Sequence, residues 1–309
     1  QREPKDTMPH HTLIPFESGF GAQRPETAGG PAALEACGLS DKLRDMSIAA
    51  DWASKPGYAG LPDYIPPLGT RARRDLVLAA VTQHRDRVAQ ALNKGYNPVT
   101  LGGDHAMAMG TMSGIANAKR AHGELGVLWI DAHMDAHTHE TSPSKAIHGM
   151  PLAHLLGYGD DSFVGLGTQS PIIRPEHLAI VGAQSWEPEE YDLLKSLGVR
   201  IYFIEDIHDR GFETVLAEAC ARINAGTYAT ALSLDIDVLD PEEVAGFGSP
   251  EPGGLGVATF YDGLRWLAAN QDFDAVELAE YNPERDDTDH STAQVVEQAL
   301  TIMLSGSAE

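Results

Sequence analysis

An apolar run, Val127-Leu128-Trp129-Ile130, leads directly into Asp131-Ala132-His133-Met134-Asp135-Ala136-His137. Side chains alternate along an extended chain, so Asp131, His133 and Asp135 fall on one face and three metal-ligand groups converge. A solvated acidic loop would not explain why these residues alternate with Ala and Met directly after a fully apolar run. A second run, Ala231-Leu232-Ser233-Leu234, delivers Asp235 and Asp237 in the same way, ahead of Val238-Leu239-Asp240-Pro241. Acids at that spacing repel unless a cation neutralises them. Gly102-Gly103-Asp104-His105 ends a third run, where two glycines permit close backbone approach and His105 is presented at a strand end. Alone, such a histidine is more often a hydrogen-bonded structural residue; the other two clusters change its meaning.

The three strand ends supply His105, Asp131, His133, Asp135, Asp235 and Asp237, two imidazoles and four carboxylates with no thiolate. This mostly hard donor set favours Mn²⁺ over a structural zinc and leaves Fe²⁺, Co²⁺ and Ni²⁺ open. Six side chains are too many for one open catalytic ion. Two ions sharing bridging carboxylates use them all, near charge neutrality and with room for a bridging hydroxide. The expected centre is therefore binuclear, with two Mn²⁺ per chain.

Short apolar, β-rich runs at 97–101, 126–130, 177–181, 200–203, 228–234 and 274–278 must position these groups. They alternate with helical patterns at 71–92, 106–121, 189–197, 212–225 and 259–269, and a last helix covers 291–304. This alternation predicts an α/β fold, a mostly parallel sheet with helices on both faces and function at the carboxyl edge of the strands. The Pro- and Gly-rich stretch 54–68 reads as a surface loop, and one domain spanning 1–309 is the economical expectation. With 22 Lys+Arg against 45 Asp+Glu, the formal charge of −23 repels phosphate backbones and anionic lipid, which excludes nucleic-acid and membrane-surface roles. Cys37 and Cys220 cannot build a disulfide framework, so a reducing cytoplasm is expected. No run approaches the ~18 apolar residues of a membrane helix, and the polar stretch 1–11 lacks a signal-peptide core.

The segments GGDH, DAHMDAH and SLDIDVLDP resemble, in order and spacing, the three metal-binding motifs of the ureohydrolases, the family of arginase, agmatinase and the guanidino-acid hydrolases. The resemblance runs from about residue 19 to residue 283. It takes in Gly30-Pro31, Gly38-Leu39, Thr141-Ser142-Pro143-Ser144, His148-Gly149-Met150-Pro151, the Gly-Ser-Pro-Glu-Pro-Gly-Gly-Leu of 248–255 and Glu280-Tyr281-Asn282-Pro283. Between Asp135 and His148 it is most like bacterial arginase. It implies a three-layer α/β/α fold, a homotrimer or homohexamer, and a small guanidino substrate. It also implies His105, Asp131, Asp135 and Asp235 on one Mn²⁺, with Asp131, His133, Asp235 and Asp237 on the other. By the same comparison His148 is the proton shuttle, Glu280 the carboxylate that grips the guanidinium, and Ser249 stands where arginases commonly have Thr. Asp135 would hand a proton to the departing nitrogen.

The substrate rim departs from that pattern. His137 stands where arginases usually have Asn, Lys145-Ala146 replaces Gly-Asn after the retained Ser144, and Glu187 takes the place of a shorter Asp. L-Arginine giving L-ornithine and urea is the leading expectation, with His137 and Lys145 able to meet a carboxylate and Glu187 a cation. The alternatives are 4-guanidinobutyrate, 3-guanidinopropionate or agmatine. A deacetylase on the related fold would use one zinc and fewer ligands, and a catalytically silent regulatory protein would tolerate the loss of ligands, none of which is missing here.

Overall fold

Parallel strands packed between two helical layers lose contact with water on both faces, so they read as continuous apolar runs rather than alternating ones. Every residue of Leu178–Ala183 and Ala275–Ala279 is buried, as is all of Glu124–Ile130 beyond its first residue. The computed structural model describes residues 10–56 and 64–306. Among them, β1 (His11–Phe16), β2 (Ala50–Trp52), β3 (Asn97–Gly102), β4 (Glu124–Ile130), β5 (Leu178–Ala183), β6 (Arg200–Phe203), β7 (Thr227–Asp235) and β8 (Ala275–Ala279) form one sheet. Its order is β2-β1-β3-β8-β7-β4-β5-β6, and every pairing is parallel.

The helices are α1 (Gly30–Ala36), α2 (Leu39–Asp45), α3 (Arg71–Asn93), α4 (Met107–Lys119), α5 (Pro151–Leu155), α6 (Asp161–Val164), α7 (Pro188–Ser196), α8 (Ile204–Arg210), α9 (Phe212–Asn224), α10 (Val257–Asn270) and α11 (Ser291–Leu304). The pleat divides the core between the two layers. Leu128 and Ile130 of β4 pack with Leu216 of α9, Leu264 of α10 and Leu300 of α11, while Val127 and Trp129 pack with Val88 of α3, Met112 of α4 and Leu194 of α7. The result is a three-layer α/β/α architecture.

The six strands and six helices read from the sequence pattern are present, with no bound differing by more than two residues. β1, β2 and several short helices were not anticipated. β1 contains Pro15, which ordinarily argues against an interior strand. Here β2 pairs only as far as Leu13, so the proline lies beyond the neighbour on that side. Of the stretch 54–68, residues 57–63 lie outside the described residues, and the described remainder belongs to no helix or strand. No helix among the described residues is long and apolar enough to cross a membrane.

Strands β3, β8, β7 and β4 are consecutive neighbours, so the four polar clusters that follow them emerge side by side at one edge of the sheet. Gly103 ties three chain segments together there. Its N–H donates to Phe16 O at 3.0 Å, and its carbonyl accepts from Glu280 N at 2.9 Å. A Cβ at this position would stand 1.9 Å from Ser18 O and 2.7 Å from Phe16 O, both backbone atoms with little freedom to yield. Gly103→Ala should therefore lower the denaturant midpoint by an equivalent of roughly 1–3 kcal/mol or more. An unchanged midpoint would show that the strand ends are looser than this packing requires.

Candidate metal centre

The strand-end side chains meet under the mouth of a cavity of about 570 Å³ whose lining includes His133, Asp135, His148, Asp235, Asp237 and Glu280. His105 Nδ1 lies 3.2 Å from Asp131 Oδ2, 3.2 Å from Asp135 Oδ2 and 2.9 Å from Asp235 Oδ2. His133 Nδ1 lies 3.0 Å from Asp237 Oδ2 and 3.5 Å from Asp131 Oδ1. Asp131 thus offers one oxygen to each imidazole and belongs to both groups of ligand-type atoms, His105 with Asp131 and Asp235, and Asp131 with His133 and Asp237.

The local backbone differs from a simple extended alternation. Asp135 adopts a left-handed conformation (φ 46°), and Asp237 is reached through a single 3₁₀ turn, Ile236–Val238, after β7 has ended. Asp235 Oδ1 caps that turn by accepting from Asp237 N at 2.9 Å, leaving Oδ2 beside His105. Glu280 is also left-handed (φ 65°). Such conformations are uncommon away from glycine, and here both aim a carboxylate into the cavity.

A hydrogen-bonded chain behind His105 settles which nitrogen faces the acids. Trp129, Ser233 and Glu277 stand in register across β4, β7 and β8, with Thr100 of β3 next to Glu277. His105 Nε2 is 2.9 Å from Ser233 Oγ, which donates to Glu277 Oε1 at 2.5 Å, and the imidazole stacks on Trp129 at 4.2 Å. With the Ser233 proton committed to Glu277, Oγ accepts Nε2–H and Nδ1 faces the three acids, which outweigh burial and hold the imidazole well above its ordinary pKa. That Nδ1 is buried and has no hydrogen-bond partner, as is Asp237 Oδ1. An imidazole nitrogen and several carboxylate oxygens gathered out of water, Asp237 Oδ1 without a partner, fit a divalent cation that takes the place of the proton. The electrostatics agree. Burial, and then the Asp237 and Asp131 charges, hold Asp235 well above the usual carboxylate range, and burial pushes Asp237 up to about 6 against the pull of His133.

Glu280 is built into the same edge. Its Oε1 accepts from His105 N at 2.8 Å and lies 3.0 Å from His148 Nδ1, whereas Oε2 is buried without a partner. Burial works against a charge on His148, but Glu280, with Asp135 and Asp104 beyond it, outweighs this and lifts the imidazole to about 9.

The family model described as the Arginase family matches residues 12–305. The chain belongs to the arginase family. It is 33% identical over 290 residues to the arginase of Bacillus caldovelox, covering 92% of this chain and 95% of that one. The Bacillus subtilis arginase structure superposes with a TM-score of 0.87 at 30% identity, covering 97% of this chain and all of the other. The Entamoeba histolytica arginase, solved with L-ornithine, superposes with a TM-score of 0.85 at 25% identity over 95% and 98% of the two chains. Membership makes the chain a ureohydrolase enzyme.

The outer residues anticipated for this arginase-family site divide. His137, Ser144, Glu187 and Ser249 line the cavity, but Lys145 does not. Its backbone is left-handed (φ 61°), and its Nζ donates to His139 O at 2.6 Å beside a separate cavity of about 240 Å³. Lys145 is therefore not placed to meet a carboxylate in the main cavity. His137 Nε2 is 2.9 Å from Glu187 Oε2 and 3.3 Å from Glu190 Oε2. Sequence reasoning passed over Glu190, Ser233 and Glu277, although an acid inside the otherwise apolar Ala275–Ala279 was a visible signal.

Two outcomes follow for metal. Because Asp131 faces both imidazoles, Asp131→Ala should lose both ions while His105→Ala mainly weakens one, read by elemental analysis after dialysis. Retention of one tight ion in Asp131→Ala would refute the bridge. In metal-free protein, the raised Asp235 and Asp237 make the native state bind more protons than the unfolded one above the ordinary carboxylate pKa of about 4. Stability then falls as pH rises towards about 6, by on the order of 2–3 kcal/mol for a group shifted as far as Asp237. Denaturant midpoints at pH 4.5 and 7 should show that fall with chelator and lose most of it with Mn²⁺.

Proposed function

We propose that the chain hydrolyses a guanidino compound to urea and an amine at a centre of two Mn²⁺ ions, with L-arginine giving L-ornithine as the preferred reaction. The observation that carries the reading is Glu280 Oε2, a buried, unpartnered carboxylate oxygen on the cavity wall beside the strand-end acids. The adjacent Gly248 leaves that oxygen room, since a Cβ there would stand 2.8 Å from it. A guanidinium N–H satisfies it in a charge-assisted hydrogen bond that orients the planar group. His105, Asp131, Asp135 and Asp235 would hold one ion, and Asp131, His133, Asp235 and Asp237 the other. Such ions supply positive charge that lowers the pKa of water and so yields a nucleophile at neutral pH.

The remaining work falls to side chains. The His105 N–H and His148 hold Glu280 Oε1 still, so the free Oε2 keeps its aim. His148 Nδ1 is engaged by Glu280, which leaves Nε2 as the atom that exchanges protons with solvent. Asp135 is pushed up by burial and then by Asp131, which suits it to take a proton and pass it to the leaving nitrogen.

At the outer end, Glu187 and Glu190 favour an ammonium, and Ser144 offers a hydroxyl to a carboxylate. The L-ornithine found in the Entamoeba relative supports an amino-acid substrate. A second reading, agmatine, is favoured by one feature: the cavity lining includes Glu187, Glu190 and Glu251 but no Lys or Arg. A cytoplasmic homotrimer or homohexamer is the proposed state; both cysteines being free agrees with a reducing compartment.

Urea release from Mn²⁺-loaded protein over arginine, agmatine, 4-guanidinobutyrate and 3-guanidinopropionate tests the proposal. Arginine should give the highest kcat/KM. Glu187→Gln should raise its KM roughly tenfold, about 1.4 kcal/mol, and leave that of a guanidino acid lacking the α-amino group little changed. No urea from any substrate, with both ions bound, would overturn the function.

A further inference from the structure

A second cavity, of about 240 Å³, lies between the start of α3, the segment after β4, and helices α5 and α6. The chain as a whole carries a charge of −23, yet among the described residues this lining holds Arg71, Arg74 and Lys145 against one acid, Asp160. Arg74 is already engaged, donating to Asp160 Oδ2 and to Asp75 Oδ1 at 3.0 Å each. Arg71 Nε stands 3.6 Å from Asp75 Oδ2, beyond hydrogen-bonding distance, and Lys145 commits one of its three N–H donors to His139 O. Both sit at the N-terminus of a 23-residue helix, whose dipole adds positive charge there: Arg71 opens α3, and a Cβ on Gly69 would stand 3.2 Å from Lys145 Cγ.

His154 of α5 supplies a different kind of group to the same lining. It is 2% exposed, and its Nδ1 donates to Met150 O at 2.9 Å, which leaves Nε2 as a lone pair. Burial pushes the imidazole down to about 4, so that lone pair persists at neutral pH. Nε2 is buried and has no hydrogen-bond partner among the described residues. Gly159 leaves room beside it, since a Cβ there would stand 2.9 Å from Nε2. Packing against Phe163, at 5.0 Å between ring centroids, explains why the ring is buried but not why one nitrogen is left without a donor, which is costly out of water. Ile147, Met150 and Phe163 make part of the remaining lining apolar.

We propose that this cavity binds a short hydroxycarboxylate, with the carboxylate on Arg71 and Lys145, the carbon chain against the apolar lining and the hydroxyl donating to His154 Nε2. Three cations against Asp160 and Asp75 leave a net charge of one, which matches a monoanionic carboxylate better than a dianionic phosphate ester. An alcohol without charge would leave the two cations unused, and an anion without a hydroxyl would leave the imidazole unsatisfied. The occupant would also brace the segment between Asp135 and His148, because that segment lends Lys145 to this cavity and Ser144 to the main one. Only that last consequence touches the proposed reaction; the binding does not rest on it.

Calorimetric titration of the Mn²⁺-loaded full-length protein with 4-hydroxybutyrate, 5-hydroxypentanoate and 6-hydroxyhexanoate tests the site. Butyrate, pentanoate and hexanoate serve as probes without the hydroxyl, and the matching diols as probes without the charge. At least one hydroxy acid should bind with a Kd of about 1 mM or tighter, and its alkanoate and diol roughly tenfold more weakly. Arg71 and Lys145 line this cavity and not the main one, so the double variant Arg71→Gln, Lys145→Gln should weaken the hydroxy acid roughly tenfold or more, whereas a carboxylate bound at the strand-end ions would not feel the change. Arg71 is exposed and Lys145 half-buried, so the fold tolerates both replacements. Unchanged affinity in the double variant, equal binding of hydroxy acid and alkanoate, or no binding of any of the three hydroxy acids overturns the proposal. The titration involves no turnover, so its outcome is separate from that of the urea assay.

Discussion

Four carboxylates, those of Asp131, Asp135, Asp235 and Asp237, are brought together almost wholly out of water, and their mutual repulsion is the constraint around which this molecule is organised. A protein cannot hold such a group at neutral pH without protons or cations to offset it. Burial first, and then the charges of the neighbouring acids, push Asp135, Asp235 and Asp237 up. What holds the acids in place is the parallel sheet. The ends of β3, β8, β7 and β4 are neighbours, and strands buried on both faces cannot slide without exposing their apolar side chains. The cost of gathering the charges is thus borne by the core, and the binding of cations returns it.

The same constraint accounts for polar residues inside the sheet. A neutral imidazole can ligate only if one nitrogen keeps its lone pair, and in a buried setting the other must have somewhere to put its proton. The row of Trp129, Ser233 and Glu277 provides this for His105, and Trp129 Nε1 donates to Asp131 Oδ2 at 2.8 Å, fixing the acid shared by both imidazoles. Glu277 is fully buried in the middle of β8 and pushed up by burial, so its place is costly unless it orders the groups above it. Behind it, Thr100 contacts Thr111, and Thr111 contacts His84, so that the polar row is continued into α3 rather than ending on an apolar surface.

Much of this was legible in the chain because the inner site is built at strand ends, where acids and imidazoles crowded against a continuous apolar run repel one another unless a cation joins them. The six main strands and their helices could be placed to within two residues because the apolar runs of a doubly covered sheet contrast sharply with the amphipathic helices between them. Other features depend on contacts that a linear pattern does not carry. The extended alternation expected after β7 gives way to a 3₁₀ turn because Asp235 caps it. Lys145 lies one position beyond a residue of the cavity lining yet faces another cavity, because the left-handed backbone at 145 turns the chain. Glu190 looks in sequence like an ordinary first-turn acid of α7. Its approach to His137 depends on how the loop after β5 lies against the loop after β4, which no local signal records.

The contrast between the two ends of the cavity has a physical origin. At the inner end each group constrains several others: Glu280 receives the His105 N–H and contacts His148, and His105 faces three acids and rests on Ser233 and Trp129. Replacing one member strands its buried partners, a penalty larger than the loss of any single contact. At the outer end His137, Ser144 and Glu187 sit on connecting segments, with Ser144 and Glu187 reaching solvent, so a change of side chain there leaves little unsatisfied. Departures from the arginase pattern therefore collect at the rim, where they alter what the far end of a substrate meets without disturbing the acids beneath. The imidazole at 137 is the exception. It is buried and engages both rim acids, so replacing it would leave two carboxylates without the donor they share, and the rim is least free to vary at that position.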